Sequence, residues 1–183
     1  HLIRERVQQL DHGEVLLYSD AGRSDYYQLT RLPKCLLEQA ASSKQGFITG
    51  VAIPHLNLTA EWTKRDCLKI MNADTSDMYG KPLVQATWSI WTKTSDSLDF
   101  LDAWFHYSQD ARCITDAPNT LGDENLPGFV DHRHDQSISS ILTHQLAAPH
   151  LDFSGTVVQW LLNIRPTSRL GQIFYKRIQN IDD

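Results

Sequence analysis

Apolar residues recur along this chain at two periods, and the exchange between them predicts the elements. Leu2, Ile3, Val7 and Leu10 fall on one face of an opening helix. After Gly13, Val15-Leu16-Leu17-Tyr18 is continuously apolar and stops at Ser19-Asp20-Ala21-Gly22, the pattern of a buried strand closed by a small acidic turn. Leu29, Leu32, Leu36 and Leu37 predict a second helix ending in Ala41-Ser42-Ser43, and Gly46 to Ile53 reads as one strand closed by Pro54. Thr63 with Asp66 three residues on has capping-box spacing and would open a helix carrying Cys67, Leu68, Ile70 and Met71. From Val84 to Ile90 the apolar residues alternate with Gln85, Thr87 and Ser89, a period of two that predicts a strand. Ser95 or Asp96 would cap a helix presenting Leu98, Leu101, Trp104 and Phe105. The stretch from Thr115 to Phe129, rich in Pro, Gly, Asn and Asp, reads as a loop. Ile138, Ile141, Leu142 and Leu146 mark a further helix, and Val157 to Ile164 a late apolar segment. Repeated exchange of strand for helix favours an α/β fold.

Length and composition narrow this only slightly. A chain of 183 residues suits one domain over residues 1–183 with a sizeable core. A net charge of −5 without a long basic run argues against nucleic acid as a partner, because such binding rests on a basic face. Cys35, Cys67 and Cys113 form no CxxC pair, which removes a thioredoxin-type site and a zinc ribbon; reduced, mostly buried thiols in a cytoplasmic protein are expected. No apolar stretch is long enough to span a bilayer, so a membrane role would be at its surface.

The densest chemistry lies in Asp131-His132-Arg133-His134-Asp135-Gln136-Ser137, directly before the helix of Ile138 and Ile141. A helix N-terminus offers unsatisfied N–H groups and the positive end of a dipole, where Asp135 would serve as a cap and an anionic ligand would also be favoured. A cap needs one acid; His132, Arg133, His134 and Gln136 around it suggest a site. Asp20, at the carboxyl end of what would be a central strand, would face a ligand crevice shared with Asp135, and Gly22 would let the backbone approach a ligand closely. A carboxylate there could hold Mg²⁺ or Mn²⁺ against a leaving diphosphate. Lys64, Arg65 and Arg133 could form a basic pocket for a phosphorylated ligand. His132 and His134 could instead supply two zinc ligands, but nothing at diagnostic spacing gives a third. There is no G-x-S-x-G elbow, no P-loop and no G-x-G-x-x-G. The five Trp residues suit core positions, with Trp88 and Trp91 on opposite faces of one strand.

Tyr18-Ser19-Asp20-Ala21-Gly22, Trp62-Thr63-Lys64-Arg65-Asp66, the Gln85-Ala86 strand ending at Lys93, and His132-Arg133-His134-Asp135-Gln136-Ser137 occur in this order. Together they resemble a family of capsule- or lipopolysaccharide-associated and uncharacterised proteins similar to nucleotide-sugar glycosyltransferases of the GT-A type. The likeness covers roughly residues 1–145. It implies an α/β, GT-A-like mixed sheet flanked by helices. It also implies a cytoplasmic enzyme, one that could work at the membrane surface, moving sugar from a nucleotide-sugar donor to a saccharide or glycoconjugate acceptor with a divalent cation. In that pattern Asp20 fills the place of the second acid of an Asp-x-Asp and would bind the metal–diphosphate. Asp135 and Gln136 would reach the donor sugar or acceptor, Asp135 as a candidate general base supported by Gln136 and His134. Two features depart from the pattern. The first nucleotide-binding strand and a Trp-Lys-Pro segment that relatives carry before the opening helix are absent from this sequence, and Arg23 stands where relatives often have Cys. The rival readings are a non-catalytic carbohydrate- or nucleotide-binding module, and a metal-dependent hydrolase using His132, His134 and Asp135.

Overall fold

The computed structural model describes residues 2–19, 34–52, 57–86 and 88–152. Asp20, Gly22, Arg23 and the Val157–Ile164 segment lie outside the described residues. The elements in chain order are α1 (Leu2–Gln8), β1 (Val15–Ser19), α2 (Lys34–Ser42), β2 (Phe47–Ile48), β3 (Val51–Ala52), α3 (Thr59–Trp62), α4 (Arg65–Ile70), α5 (Ser76–Tyr79), β4 (Val84–Gln85), β5 (Trp88–Thr92), α6 (Ser95–Ser108), α7 (Ala111–Ile114), α8 (His134–Gln145) and β6 (Leu151–Asp152).

Strand and helix alternate as expected for α/β, but the strands form two small three-stranded sheets. One has the order β1-β5-β2 with antiparallel pairing throughout, Leu17 and Ile48 both facing Ile90. The other has the order β4-β3-β6, in which β3 runs antiparallel to β4 and parallel to β6. Among the described residues β1 is therefore an edge strand, half-buried from Val15 to Tyr18, and not the central strand expected from its apolar run. The rule that ligands sit beyond carboxyl ends belongs to parallel sheets, so it does not carry over to β1.

Two further expectations fail. Gly46–Ile53 is not one strand, and neither is Val84–Ile90: each splits into two short strands that join different sheets. At Gly50 φ is 144°, and a Cβ there would lie 2.1 Å from the carbonyl oxygen of Gln85. The chain turns at a residue without a side chain, where β3 crowds onto β4.

The pleat of β5 then sorts the core. Trp91 faces one side, stacked on Phe47 at 4.9 Å and tilted against Phe100 of α6 at 5.7 Å. Around it pack Val7, Leu68, Met71, Leu101, Ile138 and Ile141, joining α1, α4, α6 and α8 in one apolar cluster. Trp88 and Ile90 face the other side, with Ile48, Val51, Leu37 and Ala40. The expectation that Trp88 and Trp91 occupy opposite faces holds. Helix α6 is capped by Thr94 rather than by Ser95 or Asp96: the Thr94 hydroxyl accepts from the Ser97 N–H at 3.1 Å, and the Ser97 hydroxyl accepts from the Thr94 N–H at 3.0 Å. No helix of the described residues is long and apolar enough to cross a membrane.

Candidate functional site

Residues 130–137 dock on the end of α3 and the start of α4. The Val130 N–H donates to the Glu61 carbonyl at 2.7 Å, and the Arg133 N–H to the Trp62 carbonyl at 3.1 Å. Ser137, on the first turns of α8, donates its hydroxyl to the same Trp62 carbonyl at 2.8 Å and accepts from the Arg133 N–H at 3.2 Å. The chain then turns sharply into α8, with His134 at φ 48°, which few non-glycine residues adopt. Two segments far apart in sequence thereby become one unit.

Within that unit the polar residues divide into scaffold and surface. His132 is buried, and both ring nitrogens are engaged by backbone. Nδ1 accepts from the Lys64 N–H at 3.3 Å, which leaves Nε2 to carry the proton it shares with the Cys113 carbonyl at 2.7 Å. This engagement takes His132 out of the zinc and hydrolase readings. Burial holds its pKa below the ordinary 6.5; the Cys113 carbonyl pulls the other way, and His134 and Lys64 add to the lowering. The unfolded chain therefore binds a proton that the folded one rejects. His132 contributes stability that is complete above about pH 6.5 and is lost as pH falls toward the folded pKa. Melting points are expected to drop between about pH 7.5 and pH 5, with the His132 imidazole titrating by NMR below the range of an exposed histidine. A normal or raised His132 pKa would contradict this arrangement.

Lys64 and Arg65 do not form the expected phosphate pocket. Lys64 is buried, and its ammonium donates to the carbonyls of Thr115 at 2.8 Å and Ala117 at 2.9 Å. Arg65 pairs with Asp74 at 2.7 Å. The capping box of Thr63 and Asp66 is also absent. Lys64 holds the N-cap position of α4, and the buried Thr63 hydroxyl makes no hydrogen bond. The fully buried Asp66 carboxylate instead takes up the loop. It accepts from the Thr120 N–H at 2.6 Å, the Thr120 hydroxyl at 2.9 Å and the Leu121 N–H at 3.1 Å. In return the loop asparagines cap α4: Asn119 accepts from the Asp66 N–H, and Asn125 from the Arg65 N–H.

The surface half is Arg133, His134, Asp135 and Gln136. The Arg133 guanidinium lies 4.2 Å from the Trp62 ring centroid, a cation–π contact that covers one face of the indole. His134 Nε2 is 3.0 Å from Asp116 Oδ1, both partly exposed. Asp135 does not cap α8, because Arg133 occupies that position. It sits one residue inside the helix, where its carboxylate suits the dipole and accepts from the Gln136 N–H at 2.9 Å. Its own carbonyl accepts from Trp104 Nε1 at 3.1 Å. The half-buried Gln136 donates its N–H to the Arg133 carbonyl at 3.0 Å.

A planar cation, two carboxylates and an imidazole thus share the rim where α8 begins. Such a set can bind hydroxyl and phosphate oxygens, and can accept a proton from a hydroxyl placed against Asp135 or His134. Asp116 was not marked by the sequence, since nothing local ties a loop acid to His134 eighteen residues on. Among the described residues no three His, Cys, Asp or Glu side chains converge as a cation site. The expected cation ligand Asp20 and its companion Gly22 lie outside those residues, so their distance from Asp135 is not defined. Comparison with protein-family models, curated proteins and solved structures finds no match for this chain.

Proposed function

We propose that this chain carries a GT-A-like glycosyltransferase domain, transferring sugar from a nucleotide-sugar to a saccharide or glycoconjugate acceptor. One observation supports this reading above others. The Trp62–Asp66 and His132–Ser137 segments, which carry the resemblance independently in sequence, are bonded to each other through Trp62, Lys64, His132, Arg133 and Ser137. Their inward residues build the scaffold, and Arg133, His134, Asp135 and Gln136 are left at its surface. Arg133 would meet the donor's diphosphate. Asp135 would face the sugar or the acceptor hydroxyl as general base, with His134 and Gln136 beside it. Asp20 would hold Mn²⁺ or Mg²⁺ against the diphosphate, with Gly22 giving close backbone approach; the cation's chemistry would be to neutralise the leaving group.

The test is a melting-point screen of the protein with UDP-, GDP- and CMP-sugars, with and without Mn²⁺. A donor at about 100 times its Kd adds about 2.7 kcal/mol of stability, a shift of several degrees. The reading expects a Mn²⁺-dependent shift with one nucleotide class, and release of the nucleoside phosphate once an acceptor is added. Unchanged melting points with every donor would overturn it. A shift without release would leave the binding module in its place.

A further inference from the structure

His132 is buried where the start of α4, α7 and the approach to α8 meet. Its Nδ1 accepts from the Lys64 N–H at 3.3 Å, and its Nε2 donates to the Cys113 carbonyl at 2.7 Å. An imidazole suits that pair of partners in one state only. The neutral ring has one donor and one acceptor, whereas the imidazolium has two donors. A second ring proton therefore turns an N–H on Nδ1 against the Lys64 N–H and leaves both without an acceptor. The surroundings do not offset the added charge. The Lys64 ammonium is itself a cation, and His134, with its ring centroid 5.4 Å away, is a second imidazole. Of the nearby acids, Asp116 in the loop after α7 lies 3.0 Å from His134 Nε2, and Asp131 accepts from the His132 backbone N–H at 2.9 Å. Helix α7 adds the Cys113 carbonyl and, on the same residue, a buried thiol.

The way out of this position is short. Asp131 and Arg133, on either side, are exposed, and His134 holds φ 48°, a left-handed turn that strains the docked segment. Swinging His132 outward breaks the Arg133 N–H bond to the Trp62 carbonyl and the contact of the Arg133 guanidinium with the Trp62 ring. Helix α8 stays held by Ile138 and Ile141 in the core cluster. We propose that His132 is an acid-released latch on the candidate site: a second ring proton expels it from between Lys64 and Cys113 and frees residues 131–134 from α3 and α4, with the core left folded. As a control on sugar transfer the latch rests on the reading above, since Arg133 and His134 would leave the places given them there. Opening itself needs no donor. Burial keeps the docked ring neutral to a lower pH than the ordinary 6.5 at which an open one titrates, so opening gains up to about tenfold per pH unit between the two values.

The experiment follows amide exchange and the His132 ring by NMR from about pH 7.5 to about pH 5, in the protein and in His132→Gln. Glutamine suits the same partners, its oxygen accepting from Lys64 and its NH2 donating to Cys113, but takes up no proton. In the unchanged protein the Lys64 and Arg133 amides are expected to open at least about a hundredfold more often than those of β5. That opening should increase below about pH 6.5 and level off where the docked ring titrates. In His132→Gln the opening of these two amides is expected not to change with pH. Equal protection with β5 would show that the segment opens only when the whole chain unfolds, and would overturn the latch. So would an opening that ignores pH, or one that keeps its acid dependence in His132→Gln. If that variant does not fold, the levelling point decides: an opening that still increases below the titration of the docked ring belongs to another group and overturns the latch. Where the melting-point screen yields a donor, its affinity is expected to weaken over the same window in the protein and not in His132→Gln. Affinity that holds while the latch opens would strike out the control on transfer. No binding of any donor would overturn the transferase reading and leave the exchange result standing.

Discussion

Replacing Asp66 by alanine is expected to destabilise the protein by about 3–5 kcal/mol, because it strips three bonds from a buried, charged acceptor at once. The carboxylate is wholly enclosed, and each of its bonds goes to the loop that follows α7. Alanine would take the acceptor away from the Thr120 and Leu121 N–H groups, and the loop, exposed at both residues, would open to water. Asp66→Asn keeps one acceptor oxygen and should fall between the two. Burial raises the Asp66 pKa, but the bonds from Thr120 and Leu121, with Lys64 nearby, outweigh it and hold the group below its ordinary 3.8. This depressed carboxylate therefore contributes stability that is present above about pH 4 and lost as pH falls through the folded pKa. Denaturant melts give the first number. Amide exchange at Thr120 and Leu121 gives the second, and protection of both amides in Asp66→Ala would show that the loop is held by something else.

How far the sequence could be read follows from the range of the forces involved. Helices α1, α6 and α8 were legible because their apolar residues recur within a few positions, and the loop after Thr115 because Pro, Gly, Asn and Asp are local punctuation. The strands were legible in kind but not in extent. Periodicity ran unbroken through Gly50, whose missing side chain matters only because Gln85 of another strand lies against it. Helix starts were misread at Thr63 and at Asp135 for a related reason. An acid or hydroxyl near a helix start has capping chemistry wherever it stands, and here Asp66 is drawn to Thr120 and Leu121, more than fifty positions away. The Asp131–Ser137 cluster was legible as unusual chemistry. Its division was not: His132 and Ser137 belong to the scaffold, and Lys64 and Arg65 leave the ligand set, because their partners lie on α3, on α7, in the loop after it and, for Arg65, at Asp74 between α4 and α5.

Asp135→Asn separates the proposed chemistry from the fold more cleanly than any other substitution. Among the described residues the Asp135 side chain takes one hydrogen bond, from the Gln136 N–H, and an amide oxygen accepts that bond as well as a carboxylate does. Only the favourable charge at the helix start is lost, so stability should fall by well under ~1 kcal/mol. The Trp104 indole, which binds the Asp135 carbonyl, would be unaffected. An amide cannot take a proton from an acceptor hydroxyl, however. If Asp135 is the base, turnover should drop about 10²–10⁴-fold, equivalent to roughly 3–5 kcal/mol at the transition state. Donor binding, which in the proposed arrangement rests on Arg133 and the cation, should stay within a few fold. The measurements are nucleoside phosphate release with donor and acceptor, donor affinity by calorimetry, and a melting curve of the same sample. Undiminished turnover would remove Asp135 from the chemistry and pass the role of base to His134 with its partner Asp116. Lost turnover with a lowered melting point would instead mark Asp135 as a residue that holds α8 in place.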